Sequence, residues 1–333
     1  MTRRDMLLAA LVATMWGFNF VVIDWGMDGI PPLFFVAVRF AVVALAVVVV
    51  PRPLGSWKTV VGVGLFMSLG QFALLYTSIA LGLQPGIAAL LLQAQVVLTI
   101  LVAALALRER PTRLQAAGVL LGTVGLGVVA VGRGGDAPAL AVVLCLLAAL
   151  SWAIGNVVAR RAGPVAPARR FGALSLTVWS SLVVPLPALG LSALIEGPSA
   201  IAAGIAAFGW RPALSTLYTA GLCTLVGYAI FNGLLARNRS ASVVPWVLLA
   251  PVVAMASAAL LLGQVPNPWE TVGGAVLVAG VLVANAPGRR GKARRGRGGA
   301  PGVEATGGAG GAEAAVGAGG SSSAVEAAGP RAR

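Results

Sequence analysis

Trp16 and Asn19 stand three residues apart and Trp152 and Asn156 four apart, so on helices each pair presents one face. An indole beside a carboxamide is an apolar wall with one donor and one acceptor, which suits holding a zwitterion rather than breaking a bond. Helix-to-helix packing and hydrogen bonding use the same residue types. Gln93 and Gln95 lie about 200° apart around a helix, so one is expected to face a ligand and the other a neighbouring helix. Tyr76, Trp179, Tyr228 and Asn232 are further candidates within apolar stretches, where interface aromatics are also common. Arg39 sits about six residues, roughly 9 Å, into its apolar run. Either it snorkels to the near surface, or it faces a central cavity and draws in a carboxylate, with Asp24 as its partner in the chain.

Bond-making chemistry has little to work with. There are no histidines, which removes the commonest general base and metal ligand. The two cysteines, Cys145 and Cys223, lie in apolar runs and match neither a disulfide framework nor zinc-ligand spacing. Ten acidic residues are scattered without a paired-carboxylate motif. Glu109, between Arg108 and Arg110, is expected to form a structural ion pair there. No catalytic residue, metal site or cofactor is expected, and the chain is not read as an enzyme.

The elements that carry these residues follow from composition. Of 333 residues 58% are hydrophobic and only 10% charged, with a mean hydropathy of +0.92. Water-exposed folds carry about 25% charged residues, so this chain must be solvated by lipid. A bilayer core needs roughly 20 apolar residues per helix. Ten such segments occur, near 6–24, 33–50, 60–81, 86–107, 114–132, 139–159, 171–195, 212–235, 242–262 and 270–286. Several are Val-rich, but in lipid the backbone must bond to itself, so runs of this length are helices. The joints carry breakers: Pro31-Pro32, Pro51-Arg52-Pro53, Gln84-Pro85-Gly86 and Pro164 to Pro167. Pro245 and Pro251 interrupt the ninth segment and free backbone carbonyls toward a site. No small-residue cleavage site follows the first segment before Pro31, so it reads as a membrane helix rather than a secretory signal.

Charge placement tests the ten-span reading. With ten spans, 21 of the 24 Lys and Arg fall on one side, only Arg133 and Arg211 on the other, and Arg39 within a span. Positive residues mark the cytoplasmic side, so both termini are expected in the cytoplasm, the chain being a multi-pass protein of the inner cell membrane. From Arg289 onward the sequence is mostly Gly, Ala, Ser and Arg, too poor in apolar bulk to fold. Its basic run serves as a topological anchor or adds attraction to anionic membrane lipid. No aromatic residues interleave it, so nucleic acid is not an expected partner.

The two halves repeat. Arg108-Glu109-Arg110-Pro111, Leu114-Gln115 and Gly118 align, 155 residues on, with Gly263-Gln264-Val265-Pro266, Trp269-Glu270 and Gly273, while Gly125 matches Gly280. Trp16 with Asn19 matches Trp152 with Asn156. Each unit therefore holds five helices, and an odd number makes the second enter the membrane from the opposite side. The expected fold is all-α, ten transmembrane helices in two inverted five-helix repeats, 1–135 and 136–287, followed by a cytoplasmic tail over 288–333. In such carriers the site lies between the repeats near the midplane.

With these motifs on the page, the chain resembles the drug/metabolite transporter superfamily of EamA type, and most of all its O-acetylserine/cysteine exporters. The resemblance is carried by Trp16-Gly17-Phe18-Asn19-Phe20-Val21-Val22, Pro31-Pro32-Leu33 with Arg39-Phe40, and Gln71-Phe72-Ala73. Leu92-Gln93-Ala94-Gln95, Ser151-Trp152 to Gly155-Asn156, Ser175-Leu176 with Trp179-Ser180, and Leu225-Val226-Gly227-Tyr228 extend it to about residue 286. It implies efflux of a small amino-acid metabolite, Gln71 among the substrate-binding residues, and proton exchange as the driving reaction. Gln264 departs from the family's usual Glu, so a symmetric pair of acids is not expected.

The reading is a secondary carrier for small neutral amino acids or derivatives; no Walker motif is present, so ATP is not its direct driver. The rival of the same fold takes another cargo, a lipophilic cation or a sugar derivative. A membrane-embedded enzyme would need convergent His, Asp, Cys or Ser groups, and a receptor would not need an inverted duplication.

Overall fold

The structure, a computed structural model, describes residues 1–132, 138–161, 174–238 and 240–286. Among these residues every regular element is helical. In chain order the helices are α1 (Arg3–Gly26), α2 (Pro32–Ala44, continued by a tighter turn over Leu45–Val48), α3 (Trp57–Ala80), α4 (Pro85–Leu92), α5 (Ala94–Leu107), α6 (Arg113–Gly132) and α7 (Ala139–Arg161). They continue as α8 (Leu174–Ser181), α9 (Pro185–Ile195), α10 (Pro198–Ala206), α11 (Trp210–Arg237), α12 (Ser240–Val247), α13 (Leu249–Leu262) and α14 (Pro268–Ala284). Six helical stretches are long and apolar enough to cross a bilayer, at 3–26, 57–80, 85–107, 139–161, 210–237 and 245–262. The bent pair α8–α9 is a seventh candidate, and 32–48, 113–129 and 268–284 are shorter apolar helices. The Pro164–Pro167 joint, Arg133, Arg169, Arg170, Arg239 and the basic tail lie outside the described residues.

Two expectations need correction. The segment 171–195 is not one straight helix: over its described part it bends by 42° where α8 gives way to α9. Pro185 opens α9 and has no N–H to continue the preceding ladder. The nine-residue α10 was not anticipated, because the 20-residue template passes over so short a run.

Helix ends are set locally in some places and across the bundle in others. Asn267 and Glu270 form a reciprocal capping box at α14, with bonds of 2.8 and 2.9 Å. Helix α2 begins at Pro31-Pro32 with no cap of its own. Its Leu33 and Phe34 N–H groups donate instead to the Glu196 carboxylate at 2.9 and 3.4 Å. The residue that completes this terminus thus comes from the far end of α9.

Irregularities recur at or near the 155-residue offset of the sequence repeat. The α4–α5 joint falls at Gln93 and the α12–α13 joint at Leu248. Arg108 and Gly263 end α5 and α13 in the left-handed conformation, at φ 55° and 66°. Wide helical turns run over Gly64–Gly70 in α3 and Leu217–Val226 in α11. Helices α6 and α14 run antiparallel: Gly118 faces Gly280 and Gly125 faces Gly273, so closely that a Cβ on any of the four would lie within 2.8 Å of backbone opposite. Only residues without a side chain permit that approach.

Candidate functional site

Helices of both halves surround a central cavity with about 670 Å³ of unfilled space, mouth included. From the first half come Trp16, Asn19 and Phe20 of α1, Arg39 of α2, Gln71 and Phe72 of α3, and Gln93 and Gln95 at the α4–α5 joint. From the second come Trp152 of α7, Cys223, Thr224 and Tyr228 of α11, and Ala250 and Pro251 of α13. A smaller space, sharing Phe72, Trp152, Thr224 and Tyr228, continues toward Val63, Met67 and Leu176.

Arg39 stands at the centre. It is 3% exposed, so it does not snorkel to a surface. The expected Asp24 partnership is also replaced: Arg39 donates to the Tyr76 hydroxyl at 2.9 Å and to the Thr224 hydroxyl at 3.3 Å. Its guanidinium carbon lies 4.0 Å from the centre of the Phe72 ring, a cation–π contact strengthened by exclusion of water. Tyr76 is fully buried between Phe35 and Phe72, so it holds the arginine from behind. Guanidinium does not lose its proton in proteins, and among the described residues no carboxylate lines the cavity. A fixed positive charge therefore faces a space that can receive an anion.

The remaining polar groups are unusually unoccupied by the protein itself. Arg39 Nε, Gln93 Nε2 and Trp152 Nε1 are buried donors, and Asn19 Oδ1, Gln71 Oε1 and Gln95 Oε1 buried acceptors, without a hydrogen-bond partner. Most buried polar atoms in folded proteins are paired, and six of the unpaired ones among the described residues gather around this one cavity. Whichever way round the amides sit, each offers both a donor and an acceptor.

Gln93 and Gln95 both line the cavity, against the expectation that only one would. The 200° separation assumes a continuous helix, whereas Gln93 is the hinge between α4 and α5. Trp16 and Asn19 share the cavity wall as their spacing implies, the Trp16 indole donating to the Cys223 carbonyl at 3.0 Å. Other candidates stand apart. Asn156 lies one turn beyond Trp152 and donates to Thr99 Oγ1 at 3.2 Å. Trp179 donates to the Val50 carbonyl at 2.9 Å and stacks edge-on with Trp57. Asn232, one turn beyond Tyr228, keeps both amide atoms buried and unpaired outside the lining. Glu109 pairs with Arg160 of α7 rather than with its neighbours Arg108 and Arg110. Phe72, Thr224 and Cys223 were not among the expected residues. Only Thr224 carried a signal, as a hydroxyl one helical turn before Tyr228.

The description "EamA-like transporter family" matches the chain twice, over residues 4–131 and 139–286. Proteins of Salmonella typhimurium and Escherichia coli, each described as a "Probable amino-acid metabolite efflux pump", are 39% and 36% identical over 286 residues, 85% of this chain and 95% of theirs. A "Probable terminal-alkyne amino-acid exporter" of Streptantibioticus cattleyicolor is 29% identical over 303 residues, 88% of this chain and 97% of its own length. The chain is a multi-pass membrane transporter, not an enzyme, and is related to amino-acid exporters. It belongs to the EamA-like transporter family.

Proposed function

We propose that the protein is a secondary carrier that exports small neutral amino acids or their derivatives across the cytoplasmic membrane by alternating access. The observation that carries the reading is the Arg39 cavity: one buried cation, its own Nε unpaired, beside two further unpaired donors and three unpaired acceptors. A carboxylate neutralises Arg39, while an ammonium finds amide oxygens and aromatic faces rather than a second full charge. The names of the relatives support cargo of this class. A lipophilic cation is disfavoured, because it would meet Arg39 with no carboxylate in the lining; a sugar derivative lacks the charge that Arg39 complements.

Ten spans in two inverted units, 1–135 and 136–287, are the architecture this reading uses. The 155-residue recurrence of joints and left-handed caps supports it, as do the reciprocal glycine contacts of antiparallel α6 and α14. The charge bias of the loops supports cytoplasmic termini. Proton exchange as the driver rests on the family resemblance, and its proton would ride outside the lining, which holds no carboxylate among the described residues. Membrane lipid is the surrounding partner.

The test is counterflow in proteoliposomes with a panel of neutral amino acids, O-acylated derivatives, organic cations and sugars. Exchange confined to the amino-acid group is expected. Exchange of cations or sugars in preference to every amino acid would replace this reading with that of the same-fold carrier for another cargo.

A further inference from the structure

A second pocket, with about 370 Å³ of unfilled space counting its open mouth, lies where α5 and the following turn meet the end of α7, lined by Thr99, Ala103, Glu109, Arg110, Gln115 and Arg160 among others. Its polar groups carry both signs within one small space. Glu109 supplies a carboxylate, and Arg110 and Arg160 supply guanidinium groups. The central cavity holds the cation alone. A zwitterion is the small solute whose two ends match such a set.

The pocket and the central cavity are separated by very little. On α5, Gln95, Thr99 and Ala103 follow one another at i, i+4 and i+8; on α7, Trp152, Asn156 and Arg160 do the same, so each trio keeps to one helix face. Gln95 and Trp152 line the central cavity, whereas Thr99, Ala103 and Arg160 line the second pocket. Along the helix axis each four-residue step is about 6 Å, and the step across the seam is the single Asn156–Thr99 hydrogen bond of 3.2 Å. Asn156 Oδ1, in a side chain 6% exposed, has no partner there. Two contacts close the outer end: the Glu109–Arg160 pair and the bond from Arg161 to the Ala106 carbonyl. Past Asn19 on α1, Ile23 packs with Ile30, Phe35, Leu83 and Val184 in one apolar cluster.

We propose that this pocket is a loading site for zwitterionic amino acids and that the α5–α7 seam is their route to the central cavity. Arg110 and Arg160 receive the carboxylate and Glu109 the ammonium. Engaging the cargo takes Glu109 from Arg160 and loosens the latch above the Thr99–Asn156 rung. The inference rests on the amino-acid reading of the central cavity and goes beyond it by naming the entry.

The experiment introduces Ala103→Cys, a 4%-exposed position of the pocket, into the full chain in membrane vesicles. Labelling by a membrane-impermeant thiol reagent is counted by intact mass against the unmutated chain. Labelling is expected from the cytoplasmic face alone. A saturating neutral amino acid slows it by filling the space beside residue 103, whereas Glu109→Gln, which frees the latch with no cargo in place, speeds it. A rate indifferent to the amino acid overturns the loading site. A second measurement does not depend on the cysteine: Arg110→Gln raises the half-saturating cargo concentration about two- to fivefold. An unchanged half-saturation overturns the proposal. If either contrary result appears while the unmutated chain still exchanges amino acids in counterflow, the loading site alone falls; if that chain exchanges none, the central reading falls with it.

Discussion

The Arg39 guanidinium, from the first family-matched segment, donates to the Thr224 hydroxyl of the second at 3.3 Å. One buried charge therefore joins the two halves at the wall of the space they share. A cargo carboxylate that takes up this charge also competes for the bond between the halves, which ties occupancy of the cavity to their relative position.

Arg39→Gln should abolish exchange while the protein still inserts, and Arg39→Lys should restore it only in part. A charge-assisted hydrogen bond is worth about 1.5–3 kcal/mol, roughly a 10- to 150-fold loss of affinity. Lysine keeps the charge but not the planar fork that reaches Tyr76 and Thr224 together. Counterflow with protein quantified in the liposomes measures both.

Because Gln93 and Gln95 face the same cavity, Gln93→Ala and Gln95→Ala should each raise the half-saturating cargo concentration, by about three- to tenfold for one neutral hydrogen bond. If one substitution is silent, the corresponding side chain belongs to helix packing.

The antiparallel glycine contacts set a steep size limit. Gly125→Val places branched carbons against the Gly273 carbonyl, where even a Cβ would lie at 2.7 Å. It should lower the unfolding temperature in detergent sharply or prevent accumulation, as overpacking costs about 1–3 kcal/mol or more. Gly127→Ala, on the same helix with nothing within 4 Å, should be neutral or stabilising by about 0.5–1 kcal/mol. A scan of thermal unfolding separates the two.

Glu196→Ala should destabilise the start of α2 by about 1–2 kcal/mol, the usual value of a lost N-terminal cap, because the Leu33 and Phe34 N–H groups lose their acceptor. Glu196→Gln keeps an acceptor oxygen and should recover part of the loss. Amide exchange at Leu33 and Phe34 reports the effect locally.

Apolar runs and their proline joints made the helices legible, since lipid leaves a long apolar segment no other way to satisfy its backbone. The Trp16–Asn19 face was legible because α1 is continuous through it. The Gln93–Gln95 pair was not, because the break at Gln93 changes the angular step that the expectation assumed. Partners fixed by tertiary packing were equally hidden. Arg39 turns to Tyr76 and Thr224 rather than Asp24, Glu109 reaches a residue 51 positions away, and Glu196 caps a helix more than 160 residues upstream. None of these follows from local spacing.

The most direct test compares binding of one neutral amino acid with binding of its decarboxylated amine to the purified full chain. The account predicts measurable affinity for the amino acid, little or none for the amine, and loss of the difference in Arg39→Gln. Equal affinity for the two compounds in the unmutated protein would contradict it, because Arg39 would then not be reading a carboxylate.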